Sequence, residues 1–363
     1  MLTSMHRYLR CPACYGALAL DIFDKTTAGI REGLLTCGAC GTVYPITQHI
    51  PRMVPTYLFD ASDFCRRHSI APEKLLHCWP GEIREISDIQ KHTQDNFGHE
   101  WEYYSRLGWT EETGSDSSHV AESLRWFHEK SLLGRDDVAD KLTLDAGCGN
   151  GRFSRAAFDA DAIVISMDLT RASDVAFANL REYGKVAQVV QGDILHPPFQ
   201  QGYFDVVFTI GVIQHTGAPL DAAANLARLV KPGGLFSVRA YQRGNDRMEE
   251  NDAAIRRVTT TFSLAELHEF SDILAQLTGF LVRKGLYADV ARHICLFPKR
   301  YDIFDWYSAP VAAKLTYDEL RDVFAETGML PIRDIDDGSS PQDRAFSAIS
   351  IVGRKRMSTS GGQ

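Results

Sequence analysis

Hydrophobic and polar positions follow a regular alternation from residue 142 onward. Short runs rich in β-branched and aromatic residues are separated by segments of helix length. The runs lie at 142–145, 163–168, 187–190, 204–210 and 235–240. Strand and helix in alternation predict an α/β fold with a parallel sheet built from right-handed crossovers.

A long charged stretch after Tyr241 interrupts this alternation, and its pattern predicts helical structure to about Arg300. The alternation then resumes with a helix beginning near Thr316, where Glu319 is placed for a capping box. A run at 329–335 and a last strand at 345–352 complete the predicted sheet.

Two further segments precede the alternating region. Residues 1–56 are rich in cysteine and turn-forming residues, which predicts a small β-rich module. Residues 57–141 have a mostly helical pattern crowded with aromatic residues, which predicts a bridge and partial lid. We therefore expect a module at 1–56, a bridge at 57–141, an α/β domain at 142–355 and a disordered tail at 356–363.

Composition narrows the class of protein. The chain has 363 residues, of which 44% are hydrophobic and 24% charged, and these values exclude a disordered or collagen-like chain. Its net charge of -8 lacks the basic excess expected of a nucleic-acid binder. No apolar run approaches the roughly 20 residues of a membrane helix, and no signal-peptide core is present, so we expect a cytoplasmic protein.

A glycine-rich turn follows the first strand of the alternating region. Gly147, Gly149 and Gly151 let the backbone reverse sharply and approach a ligand closely. The next strand ends at Asp168, where an acid holds ribose hydroxyls in doubly wound folds. Asp145 adds a carboxylate that can receive a cationic amine or orient the loop. This spacing suits S-adenosylmethionine better than a dinucleotide, and the alternative is a tight structural turn.

These motifs, together with those that follow them, resemble a known family. The segments are 145–151, Asp168, 192–194, 204–211 and 229–235, and they look like the successive motifs of class I S-adenosylmethionine-dependent methyltransferases of the type 11 group. The resemblance implies a Rossmann-like sheet of seven strands with the last antiparallel. It further implies that Gly147 and Gly149 contact the methionine part, that Asp168 holds the ribose, and that Asp193 and Ile194 lie beside the adenine.

Other residues are candidates for the same pocket. Ile210 ends the fourth strand, and His215 follows it at the pocket mouth, where an imidazole is a candidate general base. Phe97, Trp101 and Tyr104 share one helix face. Phe97 and Trp101 resemble the segment that closes over the cofactor in a subset of these enzymes. The alternatives are that His215 caps a helix or packs, and that the aromatic stripe is core.

Two Cys-x-x-Cys pairs mark the N-terminal module. Cys11, Cys14, Cys37 and Cys40 fit a closed tetrahedral site for structural zinc, with iron or a redox dithiol as alternatives. The module also resembles the small zinc-ribbon subunit that activates tRNA, rRNA and protein methyltransferases. Three roles for the module remain open: it docks a partner, it recognises the substrate, or it stabilises the domain as a cap.

The sequence thus predicts an S-adenosylmethionine-dependent methyltransferase that transfers a methyl group to an oxygen or nitrogen atom of a small molecule or biosynthetic intermediate, with 241–315 as the insertion on the acceptor side. A first alternative is a methyltransferase for RNA or protein, recruited through the zinc ribbon. A second is a scaffold that binds S-adenosylmethionine without catalysis.

Overall fold

The computed structural model describes residues 1–55, 58–75, 87–110, 120–184, 188–244, 246–335 and 348–357. The N-terminal module is a meander of four strands, in which each strand pairs antiparallel with the next. The strands are β1 (Leu18–Thr26), β2 (Gly29–Cys37), β3 (Val43–Thr47) and β4 (Ile50–Met53).

Among the residues that the structure describes, seven strands form the sheet of the α/β domain. They are β5 (Leu142–Ala146), β6 (Ile163–Asp168), β7 (Val189–Gly192), β8 (Phe204–Ile210), β9 (Val230–Tyr241), β10 (Met329–Ile335) and β11 (Ala348–Lys355). Their spatial order is β7-β6-β5-β8-β9-β11-β10. Strand β11 runs antiparallel to both of its neighbours, while β5 to β9 are parallel. The predicted seven-stranded fold with an antiparallel last strand is confirmed.

The two sheets are continuous. Strand β4 pairs parallel with β7 through Arg52 opposite Gln191 and Met53 opposite Gly192, so that eleven strands form one sheet. One apolar core extends across this junction and includes Tyr44 and Met53 from the module. The sequence predicts the module as a separate unit, because a pairing of two residues between distant segments leaves no local pattern.

Helices cover both faces of the α/β sheet and bridge it to the module. Before and between the strands they are α1 (Ser62–His68), α2 (Ser87–Tyr103), α3 (Val120–Ser131), α4 (Arg135–Val138), α5 (Arg152–Asp159), α6 (Ala172–Glu182) and α7 (Pro219–Arg228). The insertion after β9 contains α8 (Asp246–Thr259), α9 (Leu264–Lys284), α10 (Tyr287–Ala291) and α11 (Arg300–Ser308).

The last helix, α12 (Tyr317–Glu326), begins as the sequence predicts. The Thr316 hydroxyl accepts a hydrogen bond from the Glu319 backbone N–H at 3.2 Å, and the Glu319 carboxylate accepts one from the Thr316 backbone N–H at 2.7 Å. This is the reciprocal pattern of a capping box.

Strand boundaries follow the predicted runs with small shifts. Strands β6, β8 and β10 have the predicted bounds. Strand β9 begins at Val230, earlier than predicted, because Val230 already pairs with Phe204 before a bulge restores the register at Val206. Residue 187 and residues 345–347 of the predicted strands, and residues 358–363 of the predicted tail, lie outside the described residues.

The helices within the described ranges include none with the length and apolar content that crossing a bilayer would require.

Candidate functional site

The glycine loop after β5 turns in a conformation that other residues rarely adopt. Gly147, Gly149 and Gly151 have φ of 85°, 52° and 85°, which lies in the left-handed region. A Cβ on Gly149 would lie 2.7 Å from the Trp101 ring, and one on Gly147 would overlap the Val212 side chain. Glycine is therefore required at both positions, because the backbone is in the left-handed region and a neighbouring side chain lies where a Cβ would be.

Asp168 fixes this loop from the end of β6. Its Oδ2 accepts a hydrogen bond from the Gly149 backbone N–H at 2.9 Å. Its Oδ1 accepts from the backbone N–H and the hydroxyl of Thr170 at 2.9 and 2.8 Å. A carboxylate has about four lone-pair positions, so this set leaves one for a ligand hydroxyl. Burial raises the pKa of Asp168, and these three donors oppose that rise.

A cavity opens beside the loop, at the carboxyl ends of the parallel strands, and its empty space of about 840 Å³ includes open solvent at the mouth. Open α/β sheets bind their ligands at this edge. The predicted site residues that line it are Phe97, Trp101, Gly147, Asp168, Asp193, Ile194, Ile210 and His215. The structure thus brings together residues that the sequence spreads over more than a hundred positions.

Two predicted residues lie outside this lining. Gly149 is covered by the Trp101 ring. The Asp145 carboxylate points away from the cavity lining and accepts a hydrogen bond from the Ser154 hydroxyl at 2.6 Å, next to Ser166. Burial raises the pKa of Asp145 to about 7. Of the two roles expected for Asp145, the geometry therefore favours support of the loop over contact with a ligand amine.

The aromatic face of α2 divides between two functions. Phe97 and Trp101 line the cavity. Tyr104 instead packs with Leu107 and Phe304 in a separate apolar cluster. Phe97 and Trp101 thus cover the cavity, while Tyr104 anchors the end of the helix to the insertion.

The segment after β7 contributes Asp193 and Ile194 to the cavity. Asp193 is 5% exposed, and its Oδ1 accepts a hydrogen bond from the Leu195 backbone N–H at 2.8 Å. The carboxylate thus shapes its own turn while it faces the cavity.

His215 lies in a short 3-10 turn after β8 and is deeply buried. Its Nδ1 lies 2.8 Å from the Val311 carbonyl oxygen, so Nδ1 carries the proton and donates. Nε2 is left with a lone pair and has no hydrogen-bond partner among the described residues. Burial lowers the pKa of His215 to about 3. The imidazole is therefore neutral and presents an acceptor.

Asp305 also lines the cavity, although the sequence analysis assigns it no role. It lies on α11, far along the chain from the motifs, and only the packing of the insertion brings it to the site. Burial and then the charge of Asp302 raise the pKa of Asp305 to about 6. The segment from Asp305 to Pro310 resembles the end of the acceptor-side insertion in a subset of these methyltransferases, but that resemblance gives the Asp305 carboxylate no role of its own.

The four predicted cysteines meet at one end of the N-terminal module. All four sulfur atoms lie within 4.8 Å of one another, with Cys11 Sγ 3.6 Å from Cys40 Sγ and Cys14 Sγ 3.4 Å from Cys37 Sγ. Sulfur atoms bound to one tetrahedral zinc ion at about 2.3 Å lie roughly 3.8 Å apart. The cluster therefore fits one metal ion with no open position.

Comparison with known proteins agrees with both parts of this architecture. The family described as "Methyltransferase domain" matches residues 144–238, and the family described as "Trm112p-like protein" matches residues 4–48. The chain carries a methyltransferase domain behind a Trm112p-like module. The first match contains the glycine loop, Asp168, Asp193 and His215, and the second contains all four clustered cysteines.

Individual relatives of the methyltransferase domain differ in what they modify. The chain is 37% identical over 117 residues to a ubiquinone biosynthesis O-methyltransferase of Thiobacillus denitrificans, covering 31% of this chain and 47% of that protein. It is 36% identical over 101 residues to a tRNA U34 carboxymethyltransferase of Methylococcus capsulatus, covering 27% and 31%. The chain thus spans less than half the length of either relative.

A solved structure of similar architecture is the magnesium protoporphyrin IX methyltransferase of Synechocystis PCC 6803 with bound S-adenosylhomocysteine. It has 15% sequence identity and a TM-score of 0.45, and the match covers 74% of this chain and all of that one (100%).

Proposed function

We propose that this protein is an S-adenosylmethionine-dependent methyltransferase that acts on an oxygen or nitrogen atom of a small-molecule acceptor. The observation that carries the proposal is the juxtaposition of the glycine loop, Asp168 and Asp193 around one cavity inside a methyltransferase domain. Asp168 would hold the ribose, Asp193 and Ile194 the adenine, and Gly147 the methionine part, while Phe97 and Trp101 cover the ligand.

The residues of the cavity support transfer mainly by positioning. S-adenosylmethionine supplies an electrophilic methyl group: the acceptor's lone pair forms the new bond while the carbon–sulfur electron pair passes to sulfur, which leaves S-adenosylhomocysteine. Holding the acceptor in line and excluding water provides much of the acceleration in such a displacement. Ile210 and the α2 aromatics line the cavity and would exclude water from the reacting groups once a ligand is bound.

The acceptor's proton needs a base, and His215 and Asp305 line the cavity outside the residues assigned to the cofactor. A general base is most effective when its pKa lies near the working pH. The pKa of Asp305 is about 6 and that of His215 about 3. We therefore assign proton removal to Asp305. In this assignment His215 Nε2 orients the acceptor by accepting a hydrogen bond, and the base role predicted for His215 is the alternative.

The direct test incubates the protein and methyl-labelled S-adenosylmethionine with fractions of cell extract. We expect label to enter small metabolites, and Asp305→Asn to lose transfer while it keeps its affinity for S-adenosylhomocysteine. Transfer by Asp305→Asn together with its loss in His215→Asn would reverse the assignment. Absence of transfer to any fraction, despite cofactor binding, would favour the non-catalytic scaffold.

A second candidate is methylation of RNA or protein. The Trm112p-like module and the similarity to a tRNA-modifying enzyme favour it. Label recovered in RNA or polypeptide in the same experiment, lost on ribonuclease or protease treatment, would select this function. The net charge of -8, which lacks the basic excess expected of a nucleic-acid binder, favours the small molecule.

We propose further that the cysteine cluster holds one structural zinc ion. Metal binding supplies folding energy that a module of this size gains only in part from its core. Elemental analysis should find about one zinc per chain, and Cys14→Ser with Cys40→Ser should release it and lower the melting temperature. A metal-free wild-type protein after gentle purification would contradict the zinc site.

A further inference from the structure

Three buried or half-buried cations lie together next to the cavity, and we call Lys130, Arg152 and Arg239 the cation cluster. They come from α3, α5 and β9. Among the described residues none of the three has a carboxylate within 4.0 Å of its charged nitrogens. Buried charges in proteins are normally paired, so this arrangement calls for a partner.

The cluster is contiguous with the cavity. Arg239 lies beside Ile210 in register on the neighbouring parallel strand, so both side chains leave the same face of the sheet. Ser350 connects two members, because its hydroxyl accepts from Arg239 Nη1 at 3.0 Å and donates to the Lys130 backbone carbonyl at 2.9 Å. The cations therefore lie at the carboxyl ends of β8 and β9, adjoining the cavity.

Aromatic rings surround these charges. The Arg152 guanidinium carbon lies 5.5 Å from the Trp101 ring centre and 5.8 Å from that of Trp126, and Lys130 Nζ lies 4.4 Å from the Trp126 ring. Arg152 is only 9% exposed, and within the part of the chain that the structure describes its Nη1 has no hydrogen-bond partner. A buried guanidinium donor without an acceptor costs free energy that a ligand oxygen would recover.

Acidic side chains lie near the cation cluster without forming ion pairs with it. Asp302 and Asp305 on α11 interact electrostatically with Lys130 and Arg152, but neither carboxylate is within ion-pair distance of them. Glu100 on α2 is fully buried, and burial raises its pKa well above the usual value, which keeps it neutral. Asp305 lines the cavity, so the side of the cluster that faces Asp305 is where a ligand would lie.

We propose that the cation cluster anchors an anionic group of the methyl acceptor, so that the acceptor is a small molecule carrying a carboxylate or phosphate. This inference rests on the proposed function, because it places the acceptor beside the proposed S-adenosylmethionine pocket. The anion would lie between Lys130, Arg152 and Arg239, and the nucleophilic O–H or N–H would point toward Asp305. The aromatic walls would exclude water from the charged contacts.

The electrostatics give the site a pH signature. Burial, and then repulsion from Arg152 and Arg239, lower the pKa of Lys130 to about 7, against the opposing effect of Asp302 and Asp305. An anion stabilises the protonated amine, so its binding takes up a proton near neutrality. Protonation of Asp305 at lower pH acts in the same direction. Affinity for an anion should therefore fall as the pH rises through about 7.

The test is calorimetric titration of benzoate and of inorganic phosphate into the full chain saturated with S-adenosylhomocysteine. We expect saturable uptake of one of them at millimolar concentration. Benzoate keeps one negative charge over this interval, so its uptake should be weaker at about pH 8 than at about pH 6. Lys130→Gln and Arg239→Gln should each weaken it about tenfold or more, and Lys130→Arg should restore it. Benzoate uptake would identify a carboxylate and phosphate uptake a phosphoryl group.

A matched control is Lys299→Gln. Lys299 lies 5.7 Å from the same Trp126 ring, but its amine is ion-paired with Glu122 at 3.4 Å, so this variant should leave uptake unchanged. No uptake of either anion by protein that binds S-adenosylhomocysteine, or uptake that none of the cluster variants alters, would overturn the inference and leave the proposed function intact. Failure to bind S-adenosylhomocysteine would instead count against the proposed function.

Discussion

Asp145 and Asp168 show how the surroundings of a carboxylate set its role at the same sheet edge. Asp168 accepts hydrogen bonds from Gly149 and Thr170 and faces the cavity. Asp145 accepts from Ser154 behind the loop. Burial raises the pKa of both groups, and that of Asp145 reaches about 7. The first residue is suited to a ligand and the second to support.

The elevated pKa of Asp145 predicts a pH-dependent stability difference. Its folded pKa of about 7 exceeds the ordinary 3.8, so the carboxyl destabilises the fold progressively as the pH rises through that interval. Asp145→Asn removes this penalty and retains an oxygen for the Ser154 hydroxyl. We expect its gain in unfolding free energy over wild type to be about 2–3 kcal/mol larger at pH 8 than at pH 5. A gain that is the same at both pH values would contradict the elevated pKa.

Among the site residues, the sequence predicts those whose positions are set by neighbouring residues in the chain. Gly147 and Asp168 lie where the motif spacing predicts them, because both belong to consecutive turns of one crossover. Asp305 and the cation cluster were missed, since their proximity depends on how α3 and α11 pack against the sheet. Such long-range contacts have no counterpart in local spacing.

The helices illustrate the same division at the scale of elements. Two of them, α9 and α12, begin with capping boxes formed by residues three positions apart, at Ser263 with Glu266 and at Thr316 with Glu319. Only local chemistry is needed, so the start of α12 was predicted. The sequence does not predict that β4 joins the α/β sheet, because the junction consists of two residue pairs between segments that are far apart in the chain.

The Thr316 capping box should contribute measurably to stability. Thr316→Ala removes the acceptor for the Glu319 N–H and should cost about 1 kcal/mol in urea unfolding. Ser263→Ala is the matched control in the insertion, where the equivalent bond to Glu266 is exposed and 3.3 Å long, and it should cost less. Equal losses would show that burial and length of the bond do not matter here.

At the scale of the whole molecule, the Trm112p-like module and the methyltransferase domain share one sheet and one core. Arg52 is the principal polar link between them. It is 6% exposed and donates to both carboxylate oxygens of Asp174 at 2.8 and 2.6 Å, and to the side chains of Thr47 and Gln191. The module is therefore held by the domain as an integral layer.

Replacing Arg52 should loosen this junction. Arg52→Ala leaves Asp174 and Gln191 without their donor, and we expect a loss of about 2–4 kcal/mol, moderated because Asp174 is partly exposed. Hydrogen exchange should rise most at β4 and β7. Arg31→Ala is a control, since its ion pair with Asp24 is exposed and stays within the module. Unchanged exchange at β4 in Arg52→Ala would show that the Arg52 side chain does not hold the module in place.

The account depends above all on the cavity binding S-adenosylmethionine through Asp168. Isothermal titration of the wild-type protein with S-adenosylmethionine and S-adenosylhomocysteine measures this directly, with Asp168→Asn as the variant. We predict that wild type binds about one equivalent and that the variant binds about ten- to a hundredfold more weakly with an unchanged circular dichroism spectrum. Uptake of neither compound by the wild type, or equal affinity in the variant, would contradict the account.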